Sequence, residues 1–213
     1  MKGEYIMDIY ARILEARESL KTIRPTKPVG TLLKELIDMK GMDIYSLSCN
    51  SGVSNGQIAS ILLYKVERPK FETMVALCIG LGLTYEESMI FFRDAGYYDF
   101  ENENLFHNDI VLYTMILRTP GIDLVHANIL LILGMYELID HENSISWMPS
   151  LLPSSSTAAY DISRKYPQVS PSSIKAVLER NVYSNSDEIR NTIEKLQSIE
   201  TEWEKSDNHC YLF

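Results

Sequence analysis

Residues 52–71 read GVSNGQIASILLYKVERPKF, and the order of parts in this stretch decides how the chain folds. Gly52 supplies a turn, because glycine adopts left-handed backbone without a steric penalty. Ser54 is a helix N-cap, and Gln57 three residues on completes the S-x-x-Q pattern of a capping box. From Asn55 to Tyr64 the helix carries no charge. A loop follows with Lys65, Arg68 and Lys70, interrupted by Glu67 and Pro69.

Working outward, nearly every apolar stretch repeats at helical spacing. Gly30–Lys40 reads as a helix ending at Gly41, the residue favoured just past a helix end. Asp43 is the expected N-cap of a helix reaching about Asn50. Phe71–Leu81 follows Pro69, and Thr84–Ala95 carries Glu86 and Glu87 in its first turn, where the helix dipole favours acids. Toward the N-terminus, Ile6, Ile9, Tyr10, Ile13, Leu20 and Ile23 form one stripe, which Pro25 and Pro28 must stop. Beyond the connector YYDFENEN (97–104), Leu105–Arg118 is helical up to Pro120. Asp123 opens another helix in GIDLVHANILLILGMYELI. The Ser/Pro-rich segment 143–156, NSISWMPSLLPSSS, reads as a linker. A short helix near 156–166 and one opened by Ser170-Pro171 follow it. The last, about 186–205, aligns Ile189, Ile193, Leu196, Ile199 and Trp203. No strand pattern of any length occurs, so the fold class is all-α. The organisation expected is an N-terminal amphipathic helix and basic linker (1–28), a five-helix module (29–100), a helical extension (101–142) and a C-terminal helical region (143–213).

The 213 residues are 46% hydrophobic and 23% charged, enough to build a core of ordinary size. Cys49, Cys78 and Cys210 are odd in number and lack zinc spacing, which fits a reducing cytoplasm. The N-terminus lacks the apolar core of a signal peptide. The longest apolar run, ANILLILGMYELI, is too short to span a bilayer and predicts a buried helix. The formal net charge of -9 is unevenly spread. Residues 1–28 hold six Lys/Arg against four Asp/Glu (+2), residues 29–100 six against nine (-3), and residues 101–213 eight against sixteen (-8). Acidity is mostly a property of the C-terminal half, and screening beyond about 8 Å leaves basic clusters elsewhere usable.

Residues 30–96 resemble the lambda-repressor-like, or Xre-type, helix-turn-helix domain of prokaryotic and phage regulators. The likeness rests on LLKELIDMKGMDIYSLSCNSGVSNGQIASIL and ERPKFETMVALCIGLGLTYEES. It covers about a third of the chain. The extension through AGYY, NDIVLYTMI and IDLVHANILLILG is similar to regulators whose helices continue past an AGY end. The resemblance implies a third helix that enters the major groove of double-stranded DNA. Its base-reading face would be Asn55, Gly56 and Ser60, with Ile58 and Ile61 as buried anchors. Asn55 leads, because Asn pairs bidentately with adenine. Gln57, Tyr64, Lys65, Arg68 and Lys70 would contact the phosphate backbone. The chain departs from the pattern where Ile44 replaces a phosphate-bonding glutamine, where Tyr64 replaces a glycine, and where Glu67 sits among the cations.

His107, His126, His141 and His209 show no metal-ligand spacing with Cys or carboxylates. His126 is expected to pack or hydrogen-bond. No GxSxG, P-loop or HExxH occurs, so neither a cofactor nor an enzymatic activity is expected. The function expected is that of a cytoplasmic, sequence-specific transcriptional regulator. It would bind a roughly palindromic operator as a homodimer joined through the C-terminal region, where a protein or small-molecule effector would act. The alternative is a helical interaction protein, antitoxin-like or anti-repressor, that keeps the repressor fold and binds protein. Ile44 and the uncharged third helix favour it.

Overall fold

A computed structural model describes residues 27–97, 107–142, 151–179 and 187–206. The stripe from Ile6 to Ile23, with Lys21 and Arg24, lies outside the described residues, as do His209 and Cys210. Among the described residues every regular element is an α-helix and none is a strand. The chain divides into two compact units, the first reaching Arg118 and the second beginning at Thr119.

The first unit contains α1 (Val29–Lys40), α2 (Ile44–Ser51), α3 (Asn55–Leu62), α4 (Phe71–Gly80), α5 (Tyr85–Asp94) and α6 (His107–Leu117). Its centre is α4, where Phe71 and every residue from Thr73 to Gly80 are buried. Helices α2 and α6 pack on α4, α1 and α2 pack on α3, and α1 touches α5. Burial pushes the Cys78 thiol up to about 12, so the group stays protonated and inert. Phe71 meets Phe92 at 4.8 Å and Tyr113 at 5.6 Å between ring centroids, joining α4 to α5 and α6.

Four of these helices close in the same way. An amide just past the helix end reaches back five positions, as in Met42 N to Ile37 O at 3.1 Å and Tyr97 N to Phe92 O at 2.9 Å. Leu83 N to Cys78 O and Lys65 N to Ser60 O repeat it. This closure needs one left-handed residue. Gly41, Gly82 and Gly96 provide it after α1, α4 and α5, but after α3 the position is held by Tyr64 at φ 58°.

Helix starts depart from expectation at one point. The capping box predicted at Ser54 is half made: its hydroxyl accepts from Gln57 N at 3.2 Å, while Gln57 Nε2 turns away and donates to Thr73 Oγ1 at 3.3 Å. A complete box forms instead at Thr84. Its Oγ1 accepts from Glu87 N, and Glu87 Oε2 accepts from Thr84 N at 2.9 Å. Lys40 Nζ lies 3.0 Å from the same carboxylate and joins the end of α1 to the start of α5.

The second unit contains α7 (Leu124–Glu142), α8 (Ser155–Lys165), α9 (Pro171–Glu179) and α10 (Asp187–Glu204). Each helix packs on the next, and α10 returns to α7. The predicted buried helix is α7, with every residue from His126 to Leu133 buried. No described helix is long and apolar enough to cross a membrane. The two helices expected together within 101–142 fall in different units, α6 in the first and α7 in the second. The linker expected over 143–156 lies outside the described residues as far as 150; after it Leu151 and Leu152 are buried. Ser154 accepts from Thr157 N and starts α8. The α10 stripe of Ile189, Ile193, Leu196, Ile199 and Trp203 is buried within the unit.

Candidate nucleic-acid interface

Helix α3 is short and has no charged residue, so its position depends on what it buries. Ile58 and Ile61 are fully buried, and Val53 in the preceding turn is buried beside them. The turn itself is fixed by Ser51, whose hydroxyl donates to Leu47 O at 2.6 Å and accepts from Val53 N at 3.2 Å. Gly52, left-handed at φ 68°, lets the chain reverse within three residues.

With that face held inward, Asn55 and Gly56 stand exposed at the N-terminal end of the opposite face. A Cβ at Gly56 would meet nothing within 4 Å, so another molecule has room to approach the backbone there. Ser60 is half-buried, and its hydroxyl donates to Gly56 O at 2.8 Å. Of the three expected base-reading residues, Asn55 and Gly56 are therefore freely presented. Ser60 is turned onto its own helix.

The other expected contacts sort in a similar way. Gln57 is exposed, but its amide is held by Thr73 of α4. Tyr64 lies against α1: its hydroxyl is 3.0 Å from Thr31 Oγ1, and its ring would be 3.2 Å from a Cβ built at Gly30. The same Cβ would overlap the Ile61 carbonyl oxygen. Only glycine lets α1 and α3 come this close. Lys65 is exposed and has no ion-pair partner among the described residues. Lys70 stands 3.8 Å from Glu72 with its side chain largely in solvent, which is a weak pair. Lys27, at the other end of the module, is paired with Glu35 at 2.7 Å.

Arg68 has a partner that the loop sequence does not announce. Its guanidinium carbon lies 5.4 Å from the centroid of the Tyr97 ring, within cation–π range. The Tyr97 hydroxyl donates to the carbonyl of Pro69. Burial pushes the Tyr97 phenol well above its ordinary range, so it remains a donor at any working pH. Tyr97 could have been found from Ala95-Gly96-Tyr97, since a glycine past a helix end turns the next residue back onto that helix. Thr73, Gly30 and Thr31 gave no such signal, because their partners are distant in sequence.

No family model matches the chain, and neither a curated protein nor a solved structure matches it.

The second unit holds one dense polar cluster. His126 is buried, with Nδ1 2.8 Å from Asp123 Oδ1 and Nε2 2.8 Å from the Tyr166 hydroxyl. Its ring stacks on Trp203 at 4.7 Å, and Lys165 Nζ reaches Asp123 Oδ2 at 2.5 Å. Both imidazole nitrogens are occupied, so the ring is a cross-brace between α7, α8 and α10. Among the described residues no group of three His, Cys, Asp or Glu side chains is arranged to hold a metal ion.

Proposed function

We propose that the protein is a sequence-specific DNA-binding transcriptional regulator of the lambda-repressor-like, Xre-type kind. One observation carries the reading. Helix α3 is anchored by two fully buried isoleucines, presents Asn55 and open space at Gly56 outward, and runs directly into a loop with Lys65, Arg68 and Lys70. In this reading α3 enters the major groove, Asn55 reads a base edge, and the loop cations hold phosphates. Three cations per module grip DNA weakly, so a homodimer on a roughly palindromic site is part of the proposal. The protein would act in the cytoplasm by occupying the operator, without catalysis. Selection of bound sequences from random duplex DNA tests it. A palindromic consensus supports the reading, and the absence of any enriched sequence overturns it.

A second reading is favoured by the corner between α1 and α2. Met39 is 62% exposed, Ile44 37% and Tyr45 69%. Asp43 caps α2 there, with its carboxylate on Ser46 N at 2.6 Å, so this helix start offers phosphate an acid instead of a donor. Such a corner suits a protein partner. Co-purification of a stoichiometric protein together with failure to bind any duplex would favour this reading.

A further inference from the structure

We infer that Tyr97 is a positioning residue for DNA binding, holding Arg68 and the Pro69 backbone so that the loop after α3 meets phosphates in one fixed geometry. The inference rests on the DNA-binding reading and names a residue outside the expected interface.

Long cationic side chains on a loop ordinarily lose rotamer freedom when they bind, and that loss weakens each contact. Here part of the ordering is done in advance. Gly96, left-handed at φ 79°, ends α5 and turns Tyr97 back along the helix, with Tyr97 N bonded to Phe92 O at 2.9 Å. The ring is then wedged edge-on against Phe92 at 5.8 Å and near Phe71 at 6.3 Å. It is buried, and its neighbours belong to two core helices. From this fixed base the hydroxyl holds the Pro69 carbonyl, and one face of the ring receives Arg68. Arg68 is exposed, so its N–H donors can still meet a phosphate in a forked pair. Pro69 fixes its own φ, and Lys70 is the N-cap residue of α4, so pinning Pro69 also fixes where Lys70 starts. A phenylalanine at 97 would keep the ring and lose the one bond that ties it to the loop backbone.

Tyr97→Phe is tested in the full chain by fluorescence anisotropy with a selected duplex and a random duplex at several salt concentrations, with thermal melting measured alongside. The expected result is binding weakened about fivefold per module on both duplexes alike, the loss from one hydrogen bond. The slope of log K against log salt should become shallower, and base preference should stay unchanged. A purely structural role would lower the melting temperature and leave the slope as it was. Unchanged affinity and slope in Tyr97→Phe would overturn the inference while leaving the DNA-binding reading intact. Failure of the wild-type chain to bind any duplex overturns both. Arg68→Lys gives an independent arm, since it keeps the charge and loses the guanidinium that lies over the Tyr97 ring. Weaker binding supports the positioning role, and binding equal to wild type overturns it.

Discussion

Asn55 and Lys65 are ten positions apart, and the proposed function gives them different work. Asn55 stands on the exposed face of α3 with no described partner, so replacing it with alanine leaves the fold untouched. If it reads a base, Asn55→Ala weakens binding to the preferred site by about 1–3 kcal/mol and hardly affects random DNA. Lys65→Ala should weaken binding to every duplex to a similar degree. Competition assays with single-base variants of the selected site separate the two patterns, and equal loss everywhere from Asn55→Ala would remove it as a reader. The face on which Asn55 sits was expected only through the resemblance, which makes Ile58 and Ile61 the inward anchors, and both are buried. The fates of Gln57, Ser60 and Tyr64 were not. Gln57 answers to Thr73 sixteen residues away, Ser60 to a carbonyl on its own helix, and Tyr64 to a space that exists only because position 30 is glycine. Polar type marks a residue as able to contact DNA but not whether the fold has already engaged it.

At the scale of elements, α3 is held by two side chains and has little stability of its own, since an eight-residue helix is marginal in water. Ile58→Ala removes one anchor at full burial and should cost about 2–5 kcal/mol. Chemical denaturation of the full chain measures it, and an unchanged unfolding midpoint would mean that α3 is not seated as described. Helices α7, α8 and α10 are joined differently, through charge. Burial opposes ionisation of Asp123, but hydrogen bonds from His126 and Lys165 outweigh it and hold the carboxyl well below the ordinary range. A group with its folded pKa below its unfolded value, about 3.9, stabilises the fold above that pH. The contribution is lost as pH falls below it. The second unit should therefore weaken in acid, and the stability difference between wild type and Asp123→Asn should be full at pH 7 and shrink below about pH 4. A difference that stays constant with pH would show that the carboxylate charge is not what matters. Helix positions and most caps were readable from the sequence because they are local. The network around His126 was not, since its members are spread from Asp123 to Trp203 and meet only when α7, α8 and α10 close. The Ser/Pro composition of 143–156 likewise concealed Leu151 and Leu152, which the core recruits.

At the scale of the whole molecule, the net charge of -9 opposes the proposed DNA partner, and salt dependence decides whether the loop cations prevail. DNA binding responds to the cations that displace counterions from phosphates, and more distant charge is screened beyond about 8 Å. Lys65, Arg68 and Lys70 are all exposed. Used twice in a dimer, they neutralise about six phosphates, which gives a slope of log K against log salt near -5. A single chain on DNA would give about -3, so the same measurement reports how many modules engage. That matters because the apolar stripe of α10 is already covered within its own unit and supplies no ready dimer surface. Replacing one of the three cations by alanine in both chains should flatten the slope by about two units. Glu67→Lys should strengthen binding to random DNA, because it removes a repelling charge from the loop and adds an attracting one. A slope near zero, unmoved by either change, would mean that this loop does not face phosphate. The exposed corner of Met39, Ile44 and Tyr45 would then be the surface to follow, as the contact site for a protein partner.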